Sequence, residues 1–254
     1  MRTFLILLGK ELRSFFLSPV AWVVLAMFMA INGLSFSWAV NHLSDKPQGQ
    51  SIVQWTFVPL WFWLYYPFLF PLITMRLFAE EQKLGTLEVL LTAPVRTVQV
   101  LLAKYVSALI FYIVLWLPVL LYFGVLNWVM KGQVEFPQGA LLGGYLILLL
   151  TGLFHLALGT LASALTKNQI IAAILGFAFI ILHFLGGVYL QTLEKDPAYR
   201  VDMRPLVEHV AIRNHIENFA SGLLDSRPMI YYVCFTVLLL AVTHQVLEYR
   251  RWKA

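Results

Sequence analysis

Six stretches of the chain are long, apolar and nearly free of charge: 19–41, 55–75, 100–126, 140–165, 170–190 and 229–247. About 20 such residues in a helix cross the hydrocarbon core of a bilayer. None of the six shows the alternation of a barrel strand, and lipid leaves free backbone groups unsatisfied, so each is expected to be a membrane-spanning helix. Pro67, Pro71 and Pro118 fall inside these stretches and are expected to kink or interrupt them.

The segments between the apolar stretches carry their own patterns. In 1–18, Phe4, Leu8, Leu12 and Phe15 share one helical face while Lys10 and Arg13 point away, which suits a helix lying in the membrane interface. Ile6 and Leu7 blur its polar face, so a frayed tail is the competing reading. In the 191–228 segment, Ile212, Ile216, Phe219 and Leu223 recur at helical spacing with Gly222 as a break. Short amphipathic helices resting on the membrane, or dipping into it, are expected there; a solvated loop is the alternative. The segment 76–98 is expected to continue the second span into water and turn at Gly85. A short helix then runs from Thr86 to Leu91 and stops at Pro94. Thr86 would cap it, and Glu88 in the first turn would favour the helix dipole. Leu84, Leu87, Leu90 and Leu91 give it an apolar side, to be buried on the chain's own helices or on a partner.

Composition agrees with a bilayer as solvent. Of 254 residues 60% are hydrophobic and 12% charged, half the charged fraction of an ordinary soluble domain. With the N-terminus inside, the inner segments hold 11 Lys and Arg against 5 acidic residues, and the outer segments 7 against 8. That asymmetry puts both termini in the cytoplasm. It also accounts for the net charge of +5 as sidedness, not as a nucleic-acid surface. The single Cys234 can form no internal disulfide. The run "FLILL" is too short for a secretory signal core and no cleavage site follows it.

Catalytic patterns are missing. Gly9-Lys10 lacks the rest of a phosphate-binding loop, and there is no CxxC, HExxH or GxSxG. Glu80 and Glu81 project about 100° apart on a helix and do not face each other as an acid/base pair. His155 shares a face with Gly152, Gly159 and Ser163, and His183 with Gly176 and Gly187, so both imidazoles are expected to face protein. A proton relay or paired haem ligands would be the functional readings. The two lie roughly 15 Å and 21 Å into their spans, too unequal for one iron, and interhelical hydrogen bonding is the preferred reading. The aromatic run 55–68 is expected to face lipid at the outer interface, with an amphiphile path as the alternative.

The strings "KELRSFFLSPVAW" (10–22), "PLITMRLFAEEQKLGTLEVLLTAPV" (71–95), "SALTKNQIIAA" (163–173) and "FASGLLDSRPMIYY" (219–232) resemble permease subunits of type-2 ABC transporters, in particular the gliding-motility-type branch. The resemblance covers essentially the whole chain. It implies an all-α integral membrane protein with six spans, an N-terminal elbow helix, a cytoplasmic coupling helix and outer amphipathic helices before the last span. By it, residues 85–94 form the coupling helix that touches a separate ATPase, with Gly85, Thr86, Leu87, Glu88 and Pro94 in it and Glu80 and Glu81 on its stem. Lys167 and Asn168, in the 166–169 turn, would form a second contact, and Lys10, Glu11 and Arg13 would lie on the elbow helix.

The same resemblance implies a non-catalytic subunit without cofactor, ATP and magnesium belonging to two partner ATPase copies. A second permease copy or paralogue would complete the membrane dimer in a bacterial inner membrane, with membrane lipid around it, no nucleic acid, and room for an extracytoplasmic auxiliary subunit. The function implied is export or mechanical work driven by ATP hydrolysis in trans. An ion-coupled secondary transporter would call for acidic residues deep in a span, and none of the six has one. A membrane anchor or assembly subunit would need the same helices and loops as a permease.

Overall fold

The computed structural model describes residues 2–45, 52–92, 95–131, 138–195 and 204–253. Among them every regular element is helical. In chain order these are α1 (Arg2–Phe16), α2 (Pro19–Asp45), α3 (Ile52–Phe57), α4 (Leu60–Thr74), α5 (Ala79–Leu84) and α6 (Thr86–Thr92). After them come α7 (Thr97–Val129), α8 (Gln138–Leu165), α9 (Gln169–Lys195), α10 (Arg204–Val210), α11 (Ile212–Ala220) and α12 (Ser226–Lys253).

Among the described residues, five helices are long and apolar enough to cross a membrane: Pro19–Ser44, Thr97–Val129, Gln138–Leu165, Gln169–Leu193 and Ser226–Trp252. The expected span 55–75 is not one continuous helix. It is divided between α3 and the 15-residue α4, with Pro59 in an extended conformation (φ −61°, ψ 156°) at the division. Proline lacks the amide hydrogen that a continuing helix needs there. Pro67, Pro71 and Pro118, by contrast, sit inside α4 and α7 without ending them.

The bundle is built around α8, which packs against α4, α7, α9, α11 and α12. Its close approaches follow from small residues. A side chain at Gly159 would come within 2.2 Å of Thr74 Oγ1 on α4, so only glycine allows these two helices to meet here. At mid-bundle the Tyr66 hydroxyl lies 2.7 Å from Thr151 Oγ1, and Tyr112 donates to the Leu148 carbonyl at 2.8 Å. These bonds satisfy polar groups that would be costly to leave unpaired in an apolar interior.

The aromatic run does not face lipid as expected. Phe57, Phe62 and Tyr66 are fully buried: Phe62 stacks on Tyr66, while Phe57 meets Trp116 and Tyr66 meets Phe70 edge to face, and Phe68 is exposed. Dense aromatic packing supplies dispersion contacts that lipid chains would not match. Residues 204–220 form the expected short helices, with Ile212, Ile216 and Phe219 buried. They rest on α8 and α9, while Leu223 lies beyond the helix end and is exposed.

Both chain ends meet the 79–92 and 166–169 segments at one end of the bundle. Lys10 reaches Glu81, Gln82 reaches the last turn of α8, and Arg250 donates to the Leu165 carbonyl at 3.1 Å. At the other end, Gln54 donates to the Ser221 hydroxyl at 2.6 Å.

Candidate coupling site

The second predicted span does not run rigidly into the loop that follows it. The chain turns at 75–78 before α5 begins, and α5 is anchored to α8. The Ser163 hydroxyl accepts from the Phe78 and Ala79 amides at 3.0 and 3.1 Å and donates to the Met75 carbonyl. One side chain thus satisfies two of the amide groups that every helix start leaves open. Gln82 Nε2 donates to the Ala164 carbonyl at 3.1 Å, closing the free end of α8 in return. Neither Ser163 nor Gln82 was identifiable as a tether from local pattern, because each serves a helix remote in sequence.

Gly85 ends α5 with φ 71°, the left-handed conformation that L side chains rarely adopt. Thr86 is then the first residue of α6, not the residue before it, and its hydroxyl donates to the Glu81 carbonyl at 3.4 Å. Glu88 keeps its expected first-turn position. The expected leucine face divides: Leu87 is 2% exposed and Leu90 half-buried, whereas Leu84 is 67% exposed; Val89, which is not one of the expected leucines, is 71% exposed. Pro94, the expected stop, lies outside the described residues.

The stem carboxylate and the first helix converge on a residue that the sequence reading counted only as an inner charge. Lys104 of α7 is 2% exposed. Its ammonium lies 2.9 Å from Glu81 Oε1 and 3.2 Å from Glu11 Oε2. Lys10 closes the group at 3.4 Å from Glu81 and 3.5 Å from Glu11. Glu11 is the buried residue of α1, so the inward face of that helix includes a carboxylate beside half-buried Phe4, Leu8, Leu12 and Phe15. Burial opposes the charge on Lys10, but Glu11 and Glu81 outweigh it and raise its pKa. Arg13 is exposed and stands outside the group, and Glu80 faces the neighbouring cavity.

The second predicted contact is a capped turn. Asn168 Oδ1 accepts from the Ile170 amide at 2.9 Å at the start of α9, and the Asn168 amide donates to Thr166 Oγ1 at 3.1 Å. Lys167 and Asn168 are exposed and share a surface groove with Lys83 of α5. The structure therefore brings the stem helix α5 beside the second predicted contact segment.

The sequence profile described as ABC-2 family transporter protein matches residues 17–183 of this chain. The chain belongs to the ABC-2 transporter family. No curated protein matches it. Family membership and the five long apolar helices make it a multi-pass membrane protein, the membrane component of an ABC transporter, a class that works with ABC ATPase partners.

Within this ABC-2 permease the two span histidines meet despite their unequal depths. His155 Nε2 lies 3.3 Å from His183 Nδ1, and the Tyr231 hydroxyl lies 3.2 Å from His183 Nε2. The offset of about one helical turn is within what helix tilt and two ring side chains absorb. With Tyr231 donating to His183 Nε2, His183 Nδ1–H donates to His155 Nε2, and the Nδ1–H of His155 is left buried without a partner. The two rings are thus joined by a hydrogen bond between α8 and α9, the contact expected of them.

Proposed function

We propose that this ABC-2 protein is the force-receiving permease of an ATP-driven exporter and that its motor docks on α5–α6. The observation that carries the reading is the exposure of Leu84 and Val89 on the α5–α6 segment, which is anchored to α8 from behind. Exposed apolar side chains on a rigid support are what a partner surface buries. The exposed Lys167 and Asn168 supply the second contact, beside Lys83.

Two ATPase copies would close on ATP and magnesium and displace α5–α6. Movement would pass from α5 to α8 through Ser163 and Gln82, and to α7 and α1 through Glu81 and Lys104. The chain itself would carry out no hydrolysis. A second copy or a paralogue would complete the path in a bacterial inner membrane, with both termini cytoplasmic. The gathering of both chain ends at one end of the bundle supports an even number of passes, with α4 as the interrupted sixth. The strings at 71–95 and 163–173 favour the gliding-motility-type branch.

Co-purification with the ATPase tests the docking. Leu84→Glu and Val89→Glu should each lower ATPase recovery at least about tenfold, the loss expected when an apolar anchor of an interface is replaced by a charge. Glu88→Lys should also weaken it, and membrane insertion should be unchanged in all three. Full ATPase recovery with both Leu84 and Val89 replaced would overturn the assignment. Glu81→Lys is a poor probe, since it would set a third cation against Lys10 and Lys104.

A further inference from the structure

Beside the charge network lies a cavity of about 270 Å³, enclosed by α1, α5, α7, the start of α2 and the end of α4. Lys10, Arg76, Glu80, Glu81 and Lys104 line its polar part, and Val20, Val24, Leu72 and Ile73 line an apolar part. Leu72 is shared with a second hollow between α2 and α4, lined by Met27, Phe28, Ile31, Phe68 and Leu69 among others. On α2 the lining positions 20, 24, 27, 28 and 31 fall on one helical face. The two hollows therefore follow one another along the helix for about 16 Å.

The polar part is balanced in charge, Lys10, Arg76 and Lys104 against Glu11, Glu80 and Glu81. Four of these six pair among themselves. Arg76 reaches a hydroxyl, Ser18 Oγ at 3.3 Å, and half-buried Glu80 is joined to no cation among the described residues. A basic pocket between helices recruits anionic head groups. A balanced pocket with one spare cation and one spare carboxylate instead matches a zwitterion.

We infer that this is a binding site for a phospholipid with a primary-ammonium zwitterionic head group. Its phosphate sits at Arg76, its ammonium donates to Glu80, and one acyl chain lies along the α2–α4 groove. A primary ammonium carries the N–H donors that a half-buried carboxylate needs. A quaternary ammonium has none and favours aromatic cages, whereas the lining rings Phe15 and Phe111 stack on each other at 5.4 Å. The inference rests on the membrane reading of the chain and not on where the motor docks.

Native mass spectrometry of the delipidated full-length protein tests it, using ethanolamine, choline and glycerol phospholipids with identical acyl chains and no ATPase present. The ethanolamine lipid should be retained about tenfold more strongly than the choline lipid, the factor for one charge-assisted hydrogen bond. Glu80→Gln should remove that preference, whereas Arg76→Gln, which loses the phosphate contact common to all three, and Leu72→Trp should each lower retention of all three lipids; the two charge substitutions should leave thermal melting unchanged. Equal retention of the three, preference for the anionic glycerol lipid, or an ethanolamine preference that survives Glu80→Gln would overturn the site. So would cross-linking of Phe68→Cys between two copies in place of lipid, since a second chain would then fill the groove.

Discussion

Lys104 shows how much a single side chain can join. It is buried on α7, yet it ties Glu11, 93 residues earlier, to Glu81 on α5. Removing one partner from a buried ionic group strands the others, which is more costly than never having had the group. Lys104→Met should therefore destabilise the protein by about 3–5 kcal/mol in denaturant unfolding. Adding Glu11→Gln and Glu81→Gln should restore most of the loss. A melt unchanged by Lys104→Met would show that α1 and α5 are held by packing alone. The sequence revealed the charge of Lys104 but not its partners, because ion pairs between distant segments leave no local periodicity.

Helix contacts were partly legible. Gly152, Gly159 and Ser163 on one face announced close approach, and the structure sets them against Tyr112, Thr74 and the start of α5. A glycine says that something comes near, not what, so the partner helices could not be read. Gly159→Ala should force α4 outward from Thr74 and cost about 1–3 kcal/mol, as overpacking does. Thr74→Ala in the same chain should recover part of it, measured by thermal unfolding of the single and double variants. Additive losses would mean that the two residues do not meet. The break in the second span falls at Pro59, itself inside the 55–75 run, and not at Pro67 or Pro71, which α4 accommodates; hydropathy does not rank the three prolines of that run.

For the whole molecule, hydropathy located the long helices within a few residues, since a bilayer-spanning length is written directly in composition. It could not tell a lipid-facing aromatic from a core one, and the ring cluster around Tyr66 turned inward. Sidedness is checkable by labelling once exposed Cys234 is replaced by serine. Cysteines at Thr86 and Ser221, at opposite ends of the bundle, should react only from the cytoplasm and only from outside, respectively. Reversed reactivity would invert the topology.

The turn at 75–78 sets the α5–α6 segment apart from α4. Because α5 is held by side-chain anchors, Ser163 and Gln82 toward α8 and Glu81 toward Lys104 of α7, residues 79–92 would be exchangeable between related permeases only where all of these are kept. Which motor a given channel accepts would then evolve separately from what it carries.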